Sequence, residues 1–128
     1  VNAANWKKDL SCWSDFFDFQ YEMPKGKSSC FGFPMIRKPK APFELKDLTT
    51  FLNNANIETR PIICGNIARQ PAMKMYEHRV VGELSHSTNI MINGFSFGNH
   101  QALDSAARDY VSTKIAEFLK IEGVSNDS

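Results

Sequence analysis

The sequence lacks the features that mark membrane proteins and nucleic-acid-binding proteins. No apolar run approaches the roughly 20 residues that cross a bilayer, and nothing at the N-terminus resembles a signal peptide. Lysine and arginine total 15 against 14 aspartates and glutamates, so there is no excess of charge to hold a polyanion. We therefore expect a cytoplasmic protein without a membrane or nucleic-acid partner. The first residue is Val1 rather than methionine, which is consistent with a fragment or a trimmed chain.

Side chains that could carry catalysis or hold a metal are also sparse. The cysteines are an odd set without Cys-x-x-Cys spacing, and the histidines do not complete a set of closely spaced zinc ligands: Cys12, Cys30, Cys64, His78, His86 and His100. Unpaired cysteines of this kind are typical of reduced, partly buried thiols in the cytoplasm. We recognise no nucleophile–base pair and no phosphate-binding loop. The sequence therefore predicts no catalytic residue and no metal site of its own, and indicates part of a site more than a whole one.

The residues that are present predict one α/β domain. The chain has 128 residues, of which 42% are hydrophobic, and this size fits one domain with one core. Apolar spacing predicts helices over 2–14, 44–55, 86–92 and 103–120. Alternation and short apolar runs predict strands over 17–21, 30–36, 58–64 and 94–97, with 65–84 irregular. This order favours an α/β (α+β) fold with a small mixed or antiparallel sheet covered by helices.

Two local features leave alternatives open. Pro34 lies inside a predicted strand and cannot donate to a ladder, so it predicts an edge strand or a bulge. Trp6 and Trp13 share one side of the first helix, and their exposure would cost about 25 cal/mol per Å² of apolar surface. That stripe either folds onto this domain or docks on a neighbour.

The first candidate site consists of Arg60, near the start of the third predicted strand, and of the loop that follows this strand. Arg60 has a planar fork that suits a phosphate or carboxylate, although it can equally be a surface arginine paired with Glu58. Asn66 can bond a sugar hydroxyl, or it can simply end the strand in a turn. Arg69 can contact a diphosphate or remain an exposed loop charge.

The loop after the fourth predicted strand is the second candidate site. Asn99 and His100 follow Gly98 there. His100 can bond a sugar or move a proton, or it can cap the final helix or simply be exposed. We expect these two residues to lie close to Arg60 and Asn66, because both loops follow neighbouring strands.

Several stretches together resemble one part of a known enzyme family. These are Phe31-Gly32-Phe33, the stretch IETRPIICGNIARQP, the stretch YEHRVVGEL, the stretch GFSFGNHQ and the last helix. They resemble the C-terminal small domain of the DegT/StrS family of sugar aminotransferases and sugar dehydratases. The resemblance runs from about residue 30 to residue 120, and the elements RPIICGN and GNHQ are most similar to the 3-dehydratase branch.

The resemblance implies a fold, a cofactor and a division of the chain. The fold is the small domain of the aspartate-aminotransferase-like fold (PLP fold type I). The resemblance assigns residues 1–24 to the end of an interdomain helix and the first strand, 25–121 to the small domain and 122–128 to a flexible tail. In that family a large N-terminal domain holds pyridoxal phosphate (PLP) or pyridoxamine phosphate, and none of its cofactor-binding motifs is present here.

The resemblance also implies a function and partners. It implies the substrate-covering domain of an enzyme acting on nucleotide-linked keto-deoxysugars, as in lipopolysaccharide O-antigen biosynthesis. Alone, the chain is expected to be inactive and to bind no PLP. The implied partners are the missing cofactor domain and a nucleotide-sugar substrate, in a parent enzyme that is a homodimer. The alternative is a stand-alone, non-catalytic binding or regulatory module of the same fold.

Overall fold

A four-stranded antiparallel sheet forms the centre of the domain. The computed structural model describes residues 2–124. Its strands are β1 (Phe17–Phe19), β2 (Gly32–Arg37), β3 (Thr59–Pro61) and β4 (Gly94–Gly98). They lie in the order β1-β2-β4-β3, and every neighbouring pair is antiparallel. The predicted α/β class is confirmed, and of its two sheet types the structure has the antiparallel one.

Four α-helices accompany the sheet within the described residues. They are α1 (Asn2–Asp9), α2 (Leu45–Asn54), α3 (Ser85–Asn93) and α4 (Ser105–Ile121). Short 3₁₀ turns lie at Ser11–Trp13, Ile67–Arg69 and Pro71–Met75. The predicted apolar stripes of α2 and α4 are confirmed, since Leu48, Leu52 and Ile115 are fully buried. None of the helices in residues 2–124 combines the length and apolar character needed to cross a membrane.

The core lies on one face of the sheet. Side chains alternate along a strand, so the aromatic residues of β2 and β4 face the same way as those of β1. They pack with residues of α1, α2 and α4 in one cluster. Trp6 is 1% exposed, and its ring meets the Phe97 ring edge-on with centroids 4.8 Å apart. The tryptophan stripe therefore folds onto this domain.

Three sequence predictions need correction or lie outside the described residues. β2 is a central strand, but its ladder to β1 ends at the pair Phe19–Met35. At Pro34, β2 therefore has a neighbouring strand on one side only, which is β4. The predicted edge position is correct for this residue but wrong for the strand as a whole. β3 ends at Pro61 and is shorter than the predicted strand 58–64. Pro61 pairs with Phe95, and β4 begins only one residue before Phe95, at Gly94, so residues after Ile62 have no partner in β4. Most of the predicted tail over 122–128 lies outside the described residues.

Candidate functional site

The sheet face opposite the core carries small side chains. Gly32 pairs with Gly98, and Pro34 pairs with Ser96, which is also the partner of Arg60. Because side chains alternate, these residues share the face turned away from the aromatic core. They leave a shallow strip across β2, β4 and β3.

A groove of about 430 Å³ lies over this strip. Its polar lining includes Gln20, Ser28 and Ser96, and Arg60 stands at its edge. Phe31 also lines it and is 98% exposed. The groove therefore combines hydroxyl and amide groups, one guanidinium and an exposed aromatic ring, which is a mixture suited to a polar ligand with a flat part.

A second cavity of about 430 Å³ adjoins the first. The two share Gln20, Ser28 and Cys30 in their linings. The second adds exposed Lys7 and Lys27. The two linings together contain Lys7, Lys27 and Arg60, with Glu22 as their one carboxylate.

Arg60 is the predicted site residue that borders the groove. Its side chain is 73% exposed and forms an ion pair with Glu58, which is 70% exposed. An exposed ion pair of this kind contributes little to stability. An incoming phosphate or carboxylate can therefore replace Glu58 on the guanidinium fork, which binds such groups through two parallel hydrogen bonds.

Asn66 has a structural position. It is 3% exposed. Its side-chain oxygen accepts the N–H of Ala68 at 3.1 Å, and its amide nitrogen donates to the hydroxyl of Thr88 at 3.0 Å. The side chain ties the loop after β3 to α3, and burial in this chain keeps it from a soluble ligand. Arg69 lies in the same loop, is exposed, and has no ion pair within residues 2–124.

Asn99 holds the edge of the groove in place. Its amide nitrogen donates to the backbone oxygen of Cys30 at 2.6 Å. Cys30 adopts a left-handed conformation with φ of 52°, which a non-glycine residue rarely adopts without support. The side-chain oxygen of Asn99 is buried and has no partner among the described atoms.

His100 lies in the turn before α4. Its Nδ1 accepts the N–H of Ala102 at 3.1 Å, so the neutral ring carries its proton on Nε2. Its backbone oxygen accepts from the side chain of Asn2 at 2.8 Å. The ring is exposed and supports the turn before α4, but it does not cap the helix, because the side chain of Asp104 accepts the N–H of Ala107 in that role.

The two predicted loops do not form one site. β3 and β4 are antiparallel, with Thr59 opposite Phe97 and Pro61 opposite Phe95. The loop after β3 therefore leaves the sheet at one end, and the loop after β4 leaves it at the other. The expectation that Asn66 lies beside His100 is wrong, because it assumed that the two strands run in the same direction.

Sequence reasoning missed the polar residues that line the groove. Gln20, Ser28 and Ser96 were not among the candidates. Ser96 was open to prediction, because alternation in the stretch GFSFG places it opposite the two phenylalanines. Gln20 and Ser28 come from a loop far from β4 in sequence, and only the strand pairing brings them there.

The described residues do not fit a PLP pocket. Many PLP enzymes enclose their cofactor and link it to a lysine as a Schiff base. Here the lysines at the groove, Lys7 and Lys27, are exposed at the mouth of an open cavity.

In residues 2–124 no three histidine, cysteine or acidic side chains come together as metal ligands. Cys12 and Cys64 are exposed rather than partly buried as predicted, and Cys30 is half-buried.

The shifted pKa values lie outside the groove. A hydrogen bond from Lys40, together with its charge, lowers the pKa of Asp15. A hydrogen bond to Glu117 raises the pKa of Lys114. The first pair is exposed and the second is half-buried, and both stabilise the ordinary charged forms.

Comparison with known proteins finds relatives that match most of this chain. The chain is 34% identical over 119 residues to the lipopolysaccharide biosynthesis protein RfbH of Salmonella typhimurium, which covers 93% of this chain. It is 35% identical over 95 residues to the GDP-4-keto-6-deoxy-D-mannose 3-dehydratase of Yersinia pseudotuberculosis, which covers 73% of this chain.

Solved structures agree with these relatives. The E. coli GDP-4-keto-6-deoxy-D-mannose 3-dehydratase with bound hydrated PLP superposes with a TM-score of 0.78 at 31% identity, over 88% of this chain and 28% of its own. A DegT/DnrJ/EryC1/StrS aminotransferase from Brucella abortus superposes with a TM-score of 0.71 at 18% identity, over 91% of this chain and 29% of its own, which shows the fold alone.

The family assignment follows from a match over nearly all described residues. The chain spans about a quarter of the length of its curated relatives, namely 27% of the Salmonella protein and 24% of the Yersinia protein. The family model matches residues 2–116. The chain belongs to the DegT/DnrJ/EryC1/StrS aminotransferase family.

Proposed function

We propose that this chain is the C-terminal, substrate-covering domain of a PLP- or pyridoxamine-phosphate-dependent 3-dehydratase acting on a nucleotide-linked keto-deoxysugar. The observation that carries the proposal is the contrast in identity among relatives of one fold. Among solved structures, the 3-dehydratase is 31–32% identical to this chain, whereas two aminotransferases are 17–18% identical. The cofactor belongs to the part of the parent enzyme that these residues do not represent, because the described grooves do not fit it.

The groove provides the binding chemistry for such a substrate. The guanidinium of Arg60 binds a phosphate oxygen pair, and Ser96, Gln20 and Ser28 offer hydrogen bonds to sugar hydroxyls. The glycine and proline floor leaves room for a ring. Each neutral hydrogen bond contributes only about 1 kcal/mol net, so the domain binds a sugar nucleotide weakly until a second surface closes over it.

The other predicted site residues have supporting roles in this proposal. Asn99 fixes the turn at Cys30, which lines both cavities. Asn66 fixes the loop after β3. Arg69 and His100 are exposed at opposite ends of the sheet. Either can contact the ligand only if the ligand extends beyond the groove. The parent is proposed to act as a cytoplasmic homodimer.

The test is a chimera in which residues 2–124 replace the matching C-terminal part of the E. coli 3-dehydratase. Removal of the 3-hydroxyl from GDP-4-keto-6-deoxymannose would be followed by mass spectrometry. We expect turnover within about tenfold of the E. coli enzyme. A folded, PLP-containing chimera without turnover would contradict the proposal and favour a non-catalytic module.

Arg60→Ala in the active chimera tests the groove. Loss of a charge-assisted hydrogen bond costs about 1.5–3 kcal/mol, which predicts a KM for the nucleotide sugar about 10–100-fold higher. Lys46→Ala on the exposed side of α2 is the control, and it should leave KM unchanged. An unchanged KM for Arg60→Ala would remove Arg60 from the binding site.

A further inference from the structure

The segment from Ile63 to Leu84 exposes an unusual amount of apolar side chain. Six large apolar residues in it are more than half exposed: Ile63 at 91%, Ile67 at 59%, Met75 at 81%, Tyr76 at 66%, Val80 at 51% and Val81 at 69%. Scattered single apolar side chains are normal on a protein surface, but a concentration in one short segment marks a binding surface.

The backbone of this segment is equally uncovered. Every residue from 74 to 83 is exposed. Between Glu77 and Glu83 the described residues make no backbone hydrogen bond to another part of the domain. The ring of His78 contacts only the nearby backbone oxygen of Tyr76, at 2.8 Å. The stretch therefore lies on the surface without contributing its valines to the core.

The charge of the segment indicates the class of its partner. Three basic residues, Arg69, Lys74 and Arg79, are nearly balanced by Glu77 and Glu83. Such a balance attracts neither a nucleic acid nor an anionic lipid surface. A nearly neutral, apolar surface matches another protein surface of the same kind.

We propose that the segment 63–84 is the surface by which this domain docks on the rest of its parent enzyme. The inference rests on the proposed function. The relatives are about four times as long as the matched part, since this chain covers 27% and 24% of them. The docking partner that we propose is the remaining part of that fold. Interfaces between domains of one chain bury about 600–1,500 Å².

Hydrogen–deuterium exchange measures the docking directly. The amides of residues 77–83 would be compared in the isolated chain and in the chimera with the E. coli 3-dehydratase. We expect fast exchange in the isolated chain and at least tenfold slower exchange in the chimera. Unchanged exchange in a folded chimera, or a chimera that cannot be obtained in folded form, would overturn the inference.

The same measurement distinguishes docking on the parent enzyme from self-association of the chain. Exchange in the isolated chain that slows as its concentration rises would assign the segment to a second copy and overturn the proposal. Docking and function fail separately: protection without turnover contradicts only the proposed function, and turnover without protection contradicts only the docking surface.

Two matched substitutions add a second readout. Val81→Glu lies in the segment at 69% exposure, and Ile121→Glu lies at the end of α4 at 70% exposure. Neither is expected to change the melting temperature of the isolated chain. In the chimera, Val81→Glu should remove at least half of the protection of residues 77–83 against exchange, whereas Ile121→Glu should leave this protection unchanged. Equal effects of the two would contradict a docking surface confined to the segment.

Discussion

Asn66 and Arg69 are three residues apart and have opposite environments. Asn66 is 3% exposed and bonds both Ala68 and Thr88, whereas Arg69 is exposed. We expect Asn66→Ala to lower the free energy of unfolding by about 1–2 kcal/mol, because it removes a cap and leaves the half-buried N–H of Ala68 unpaired. Urea denaturation measures this change. Arg69→Ala is the control and should change it by less than about 0.5 kcal/mol.

The ion pair of Asp15 and Lys40 gives a pH dependence at the same scale. Lys40 lowers the pKa of Asp15 below its usual 3.8. A lowered folded pKa stabilises the fold above the unfolded pKa, and this contribution is lost as pH falls through the folded pKa. The stability difference between wild type and Asp15→Asn should therefore be present at neutral pH and vanish in acid. The same substitution in a Lys40→Ala background should lose most of this pH dependence, because the main partner that lowers the pKa of Asp15 is then absent.

At the scale of elements, β4 contains two glycines in very different surroundings. A methyl group added at Gly94 would clash with the backbone oxygen of Ile90 and would lie 2.7 Å from the Cδ1 atom of Ile62, whereas one added at Gly98 meets nothing within 4 Å. We expect Gly94→Ala to destabilise the domain by about 1–3 kcal/mol through overpacking where α3 meets β4. Gly98→Ala should be nearly neutral in the same thermal unfolding assay. Equal melting temperatures would mean that the junction relaxes.

The elements also show what the sequence could predict. The helices α2 and α4 were predictable because each carries its apolar stripe within itself. Strand order was not, since the pairing of Gly32 with Gly98 joins segments whose local patterns contain no information about direction. The groove depends on that pairing. The guanidinium of Arg60 was therefore enough to identify it as an anion-binding candidate, but its neighbours across the sheet could not be identified.

At the scale of the whole molecule, Trp6 connects the first helix to the sheet. It is 1% exposed, and its indole nitrogen has no hydrogen-bond partner among the described residues. We expect Trp6→Ala to cost about 3–5 kcal/mol of stability. Trp6→Phe should cost less than half as much, because the ring contact with Phe97 remains and no hydrogen bond is lost. Tyr21→Ala, at 72% exposure, is the control. A small effect of Trp6→Ala on chemical denaturation would contradict a core that includes α1.

The strand order has a consequence for how the domain folds. Within residues 2–124, β1 pairs only with β2 and β3 pairs only with β4, so the sheet is joined through the pairing of β2 with β4. These two strands lie about 60 residues apart in the chain, and closing so long a loop costs entropy before any pairing energy is gained. Each outer pair is only a two-stranded ribbon, which is marginally stable in water. The four strands are therefore expected to form and to open together, as one cooperative unit in native-state hydrogen exchange.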